Sequence, residues 1–400
     1  MKNNVSAKSS WAAAFTVASV WFGTHVGGGF ASGNQVIQYF SQYGWTAAIF
    51  PLLAMGLLAY VIYIITSFAK LSGYNNYKDT FANLYPNPKM EILFEIFYIV
   101  IILAAVASAV AGAGEVMANF LGVPYAGTAK LVCNTGIIIL LVVLSIFGIK
   151  LVTAASTVLS TAILITTACV VVAGLSVDLD AITETYLTAN GLTPVAHTDD
   201  MFNAVWRGVI VYAAFQCVSI PPMIAASSEL SATGVKRASI LGALMNGLAL
   251  GASGYMLSRW YPILKALQDA GVDGFKNALG IPNQTVLTVI GIKVLMVLFS
   301  VLLFCAFVST CVTLLYTIVQ RFHVHVFPDI IKHEKVRSII VGVVAIMICF
   351  GLSMLGLSNI IKYAYGYDGY YAIFVIIIPA FIWGLPKLRK LKAEQAAKEK

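Results

Sequence analysis

From Trp11 to Leu385 the chain is a succession of long apolar runs joined by short polar connectors, and no other feature restricts its fold so severely. About 20 apolar residues cross the hydrocarbon core of a bilayer as one helix. In that solvent every backbone N–H and C=O has to be paired inside the segment. Of the 400 residues, 60% are hydrophobic and 10% charged, where soluble domains carry about 25% charged residues. The chain therefore reads as an all-α integral membrane protein. Its net charge of +8 lies in connectors and tail, which calls for a lipid bilayer and not for a nucleic-acid partner. Cys133, Cys169, Cys217, Cys305, Cys311 and Cys349 all fall in apolar spans without metal-type spacing, so they read as small buried hydrophobes. Trp11 to Phe22 has no small-x-small site after it and continues apolar, which makes it a retained span and not a cleaved leader.

About ten spans are expected. After a cytoplasmic N-terminus (1–10), the first five-helix repeat (11–175) holds Trp11 to about Tyr43, Trp45–Ala69, Ile92–Leu121, Leu131–Phe147 and Leu151–Leu175. Lys70–Lys89 is a polar loop, and Gly148-Ile149-Lys150 is a tight turn. An acidic extracellular loop (176–201) leads to the second repeat (202–386). That repeat holds Phe202–Ser228, Ala238–Leu257, Gln284 to about Val319, Ser338–Leu355 and Ile360–Leu385, ahead of a basic cytoplasmic tail (387–400). The connector Ser258–Asn283 should carry a short helix, Tyr261–Ala270. Lysine and arginine concentrate on one side when both termini are cytoplasmic, in a multi-pass protein of the cell membrane.

Inside the first span stands Gly23-Thr24-His25-Val26-Gly27-Gly28-Gly29-Phe30-Ala31-Ser32-Gly33, with five glycines in eleven residues. Each costs about 1 kcal/mol against alanine in a helix interior. Broken backbone at membrane depth persists only where protein or a wet cavity surrounds it, although small residues also serve close helix packing. The sixth span has its own interruption, Ser219-Ile220-Pro221-Pro222. Breaks in the first member of each group of five point to helices 1 and 6 broken at mid-membrane. An odd repeat length makes the second copy inverted, an arrangement whose paired interruptions mark a transporter's binding site.

Gly27-Gly28-Gly29-Phe30-Ala31-Ser32-Gly33, with Tyr365-Gly366-Tyr367 at the start of the tenth span, resembles the YkvI family. Over nearly its whole length the chain resembles the amino acid–polyamine–organocation superfamily with the 5+5 inverted repeat of LeuT. The resemblance implies an Na+ site made by the carbonyls of Gly23, Val26 and Ala306 and the hydroxyls of Ser309 and Thr310. Five neutral oxygens suit a hard cation. The same hydroxyls can instead bond back to their own helix. Some proton-coupled relatives place a fifth-helix lysine at the ion's position, and the fifth span here has none past Lys150. His25 departs from the small neutral residue of sodium-coupled amino-acid carriers; it can fill the pocket, donate to an anionic group, titrate, or be structural.

Thr24, His25, Gly28 and Gly29 are the candidate substrate contacts in the first span. Tyr212, Phe215, Gln216 and Ser219 add an aromatic–amide–hydroxyl stripe on one face of the sixth. That stripe serves a small polar solute or ordinary bundle packing equally well. Glu115 and Lys293 are expected to share a depth and pair, with Lys293 about 14 Å into its span at 1.5 Å per residue; the other reading gives Glu115 a proton. Asp368 with Lys362 reads as an outer-gate pair, Glu95 as a solvated surface group, and His323, His325 and His333 as a solvated loop. No hydrolase, metalloprotease or P-loop signature occurs. The function expected is secondary active transport of an amino-acid-like solute with Na+ as coupling ion and no other cofactor. The alternatives are proton coupling through His25 or Glu115, or a non-transporting membrane sensor. Substrate identity and oligomeric state are not legible.

Overall fold

The computed structural model describes residues 10–147, 149–322 and 332–398; Gly148, His323 and His325 lie outside them. The first span is cut into α1 (Trp11–His25), α2 (Gly28–Ala31) and α3 (Asn34–Tyr39). There follow α4 (Phe50–Ser72), α5 (Tyr77–Leu84), α6 (Glu91–Phe120), α7 (Gly127–Phe147), α8 (Ile149–Ser176) and α9 (Leu179–Tyr186). The second half holds α10 (Met201–Glu229), α11 (Ala232–Asp269), α12 (Pro282–Ile290), α13 (Lys293–Phe322), α14 (Glu334–Ser353) and α15 (Leu357–Ala397). Among the described residues, eight helices are long and apolar enough to cross a membrane, or nine if a bent pair counts as one. The interrupted first span is too fragmented to be among the eight.

The helices fall into two groups. In one, α11 lies along α1 and α4, while α10 packs on α4 and α15; in the other, α13 lies between α6 and α8, and α14 joins α6. Counterparts from the two halves therefore meet: second span with seventh, third with eighth. Small residues on α11 make the first group tight. A Cβ at Gly251 would stand 2.9 Å from the Ala48 carbonyl, and one at Gly247 2.8 Å from Leu52. Helices in lipid associate through such close backbone approach, since apolar burial gives little drive there.

Several expected boundaries shift for identifiable reasons. The short helix Tyr261–Ala270 is not separate, because α11 runs unbroken through Pro262 to Asp269. A proline leaves the carbonyl four residues back without its N–H, and His197 Nε2 donates to that carbonyl, Ser258 O, at 2.8 Å. The eighth span divides at Gly291, whose φ of 80° ends α12. Lys293 consequently starts α13 and is exposed, instead of lying deep in a span. The polar loop after α4 folds α5, capped by the Asn76 side chain on Asp79 N. The acidic connector folds α9, and its last residue, Asp200, caps α10. The Asn203 N–H and Nδ2–H donate to the Asp200 carboxylate at 2.9 and 2.6 Å, which holds that group below the usual carboxylate range. At Ser219-Ile220-Pro221-Pro222 the sixth span stays helical, so the expected unwinding is absent. It tightens to a 3-10 turn over Gln216–Ser219, and the prolines open the next helical stretch, where missing N–H groups cost nothing.

Candidate functional site

The break in the first span falls at Val26-Gly27. Val26 adopts φ −83°, ψ 70°, its N–H still reaching Phe22 O at 2.9 Å. Gly27 N turns back to His25 O at 3.0 Å, so no described backbone N–H bonds the carbonyls of Gly23 or Val26. A second bend follows at Gly33, whose φ of 85° starts α3. The break opens on a cavity of about 810 Å³. It runs from the broken backbone toward the end of the bundle where α1 starts and α13 finishes, past Thr16, Ser19, Tyr98, Thr313 and Thr317. Among the described residues no Asp, Glu, Lys or Arg lines it; the polar wall is made of hydroxyls, amides, the His25 ring and free carbonyls.

Gly23, Val26, Ala306, Ser309 and Thr310, the five positions of the expected cation site, all line this cavity. Ser309 Oγ donates to Ala306 O at 3.0 Å. That back-bond leaves the hydroxyl lone pairs unspent, while the Ala306 carbonyl, inside regular helix, also takes the N–H four residues on. Thr24, His25, Gly28, Gly29, Phe215 and Gln216 also line the cavity. Tyr212 and Ser219 do not: both are fully buried behind it, 0% exposed, and they are removed from the direct lining. Four-residue spacing set them on one face, but the 3-10 turn rotates Ser219 away from that face.

His25 is engaged by two partners. Its Nδ1 lies 2.5 Å from Asn246 Oδ1 on α11, and Nε2 lies 2.9 Å from Tyr212 Oη on α10. Asn246 Nδ2 donates to Gly242 O at 2.8 Å, which presents its amide oxygen to the ring. A neutral imidazole fits: Nδ1–H donates to Asn246, and Nε2 accepts from the Tyr212 hydroxyl. Asn246 was not legible beforehand, because nothing in its own helix marks it as a partner of His25. Gly28 also serves packing. Phe307 sits between Gly28 and Gly112, and a methyl at either glycine would overlap its ring. Gly29 backs onto the Gln35 amide in the same way.

The opposite end of the cavity is sealed. Tyr39, Phe40, Tyr212, Phe215 and Tyr365 form a buried aromatic cluster with ring centroids 4.8–5.4 Å apart. Above it, the connector before α12 and the first turn of α12 are stitched to the first span. Asn34 Nδ2 donates to Leu279 O at 2.8 Å, Asn283 Nδ2 to Ala31 O at 2.8 Å, and Asn283 N to Ser32 O at 3.1 Å. Glu115 belongs to this closure and not to a pair with Lys293: Asn277 Nδ2 donates to its Oε1 at 2.6 Å. The break at Gly291 took Lys293 to the helix end, out of reach. Asp368 is likewise not paired with Lys362. The carboxyl is buried, 4% exposed, while Lys362 is exposed and lies over the Tyr363 ring. Glu95 is not simply solvated, since Arg321 binds its carboxylate between the rings of Tyr77 and Tyr98 near the open end.

These features define a class: an all-helical, multi-pass membrane protein of LeuT-type fold, with a discontinuous first helix facing a central cavity. No family model matches the chain, and no curated protein matches it. Solved structures do. MhsT in complex with L-phenylalanine is similar over 94% of each chain, at 15% identity and a TM-score of 0.54. A Na+-coupled sialic acid symporter in a substrate-bound outward-open state matches 91% of this chain and 78% of its own, at 17% identity and a TM-score of 0.57. The Eremococcus coleocola manganese transporter, in complex with an aromatic bis-isothiourea substituted compound, matches 92% and 78%, at 14% identity and a TM-score of 0.51. The likeness is one of fold.

Proposed function

We propose that this chain is a secondary active transporter that moves a small, net-uncharged, amino-acid-like solute by alternating access, with Na+ as coupling ion. The observation that carries this reading is the break at Val26-Gly27, whose unpaired carbonyls meet Ala306, Ser309 and Thr310 at one cavity. Lipid forbids unpaired backbone, so its retention beside a polar-lined cavity calls for a ligand. A wall without fixed charge suits a zwitterion better than a net anion or a polycation, and Phe22, Tyr98, Phe215 and Tyr365 offer it apolar surface. With the N-terminus cytoplasmic, the open end is the inner one and the sealed aromatic end the outer, an inward-open state. Proton coupling through His25 is the less favoured reading, because both ring nitrogens already have partners. Glu115 is held under Asn277 in the outer closure, away from the cavity lining.

Reconstituted protein should accumulate a radiolabelled neutral amino acid or a related zwitterion when an inward Na+ gradient is imposed, and lose that uptake when K+ replaces Na+. Uptake that ignores Na+ would overturn the coupling ion. Ligand binding with no translocation of any compound in the panel would favour a sensor of the same fold.

A further inference from the structure

Span ten is a jointed rod. Its helix α15 contains three π-helical stretches, the last at Ala380–Gly384; the first two, Ile360–Ala364 and Ile373–Ile377, stand on either side of one regular stretch, Tyr365–Ala372. Such π turns are uncommon and gather at functional sites. Each of the first two is held by a tyrosine from outside the helix: Tyr39 donates to Ile361 O at 2.9 Å and Tyr85 to Val375 O at 2.5 Å. The stretch between them packs on α10 and α6 and carries Asp368. Gly369 lets it approach closely, since a Cβ there would stand 2.9 Å from the Val211 carbonyl.

Asp368 Oδ2 is buried with no hydrogen-bond partner among the described residues. The titratable groups that feel its charge are Cys217, Tyr365 and Tyr371, and each spends its proton elsewhere. Cys217 Sγ donates to Ala213 O at 3.6 Å and Tyr371 to Leu93 O at 3.1 Å. Ser108 donates to Ala105 O, so Tyr365 is the donor in its 3.2 Å contact with Ser108 Oγ. The charged groups on the neighbouring elements are occupied too. Arg207 lies over the Tyr39 ring and Lys362 over Tyr363; Glu91 pairs with Lys78, Glu95 with Arg321, and Glu115 accepts from Asn277. Tyr212 faces His25, and Tyr363 and Tyr367 are exposed, while Tyr370 packs between Trp206 and Tyr367. Oδ2 in that setting has neither a cation nor a donor among the described residues, and desolvation of an unpaired charge is so costly that the group neutralises instead.

We propose that Asp368 is a proton-binding site, separate from the cation site on the first and eighth spans. The carboxyl is –COOH while Tyr365–Ala372 packs dry against α10. When the π joints let that stretch separate and water enters, it becomes –COO⁻ and its proton passes to water as H3O+. Nothing is oxidised or reduced. Use of this proton in a transport cycle rests on the function proposed above; its residence on Asp368 does not.

Infrared difference spectroscopy on the full-length protein tests it, with aspartate carboxyls carbon-13-labelled. At neutral pH the wild type should show the carbonyl band of a protonated carboxylic acid. The band should shift with the label and disappear in Asp368→Asn. Uptake by Asp368→Asn in proteoliposomes should lose the pH dependence of the wild type. Absence of a labelled protonated band from the wild type at neutral pH overturns the proposal, as does an Asp368→Asn variant whose band or pH profile matches wild type. If that variant does not fold, the wild-type band decides: reversible loss on raising the pH supports a releasable proton, and persistence under every condition overturns release. Failure of the transporter reading would show instead as no wild-type uptake with the labelled band intact.

Discussion

Alanine at Gly28 and at Gly27, adjacent glycines of the same break, should have opposite consequences. At Gly28 the new methyl would lie far inside the 3.4 Å at which ordinary contact with Phe307 begins. The ring cannot retreat, because its other edge rests on Gly112. Overpacking of this kind costs about 1–3 kcal/mol, and at about 2–4 °C per kcal/mol for larger chains the thermal midpoint should fall by roughly 2–12 °C. At Gly27 no atom lies within 4 Å, and φ of −92° suits any residue. Gly27→Ala should therefore be neutral or gain up to about 1 kcal/mol through a less flexible unfolded chain. The clash has a specific remedy. Phe307→Leu shortens the ring, so the Gly28→Ala/Phe307→Leu double variant should be less damaged than the two single effects combined, by about 0.5–3 kcal/mol. Thermal unfolding in detergent, followed by size-exclusion fluorescence, reads all four proteins. Equal stability of the two alanine variants, or strict additivity in the double variant, would refute the packing assignment of Gly28.

Ser309→Ala and Thr310→Ala each remove one oxygen from the proposed cation site. Ligands to charged species are worth about 1.5–3 kcal/mol, so the Na+ half-saturation of uptake should rise roughly ten- to a hundredfold; an unchanged value in both variants would remove the assignment. His25→Ala leaves Asn246 Oδ1 and the Tyr212 hydroxyl without their ring partner. At about 1–3 kcal/mol for each buried group left unpaired, that variant should lose thermal stability as well as ligand affinity, and a wild-type midpoint would count against the ring's bridging role. Cysteines introduced at the exposed positions Thr188 and Lys335 should react with an impermeant maleimide from opposite faces of the membrane. Labelling of both from one face would sink the orientation.

How much of this was legible before folding follows from the range of each interaction. Apolar runs and the glycine break follow from local chemistry, because lipid leaves a spanning backbone so few options, whereas the Gly23, Val26, Ala306, Ser309 and Thr310 set came from the family resemblance. All five positions line one cavity. Partnership was not legible. Glu115 and Lys293 matched in estimated depth until the positive φ of Gly291 ended α12 and left Lys293 at a helix end. Asp368 and Lys362 are six apart in sequence, yet one is buried and the other exposed. His25 met Asn246 only because α11 lies along α1, and Pro262 stayed inside a helix only because His197 reached across to Ser258. A helix records in its own residues which face is apolar and where its backbone falters. It does not record which polar group will stand opposite, because that depends on how another segment is rotated and how deep it sits, and those are set by packing of the whole bundle.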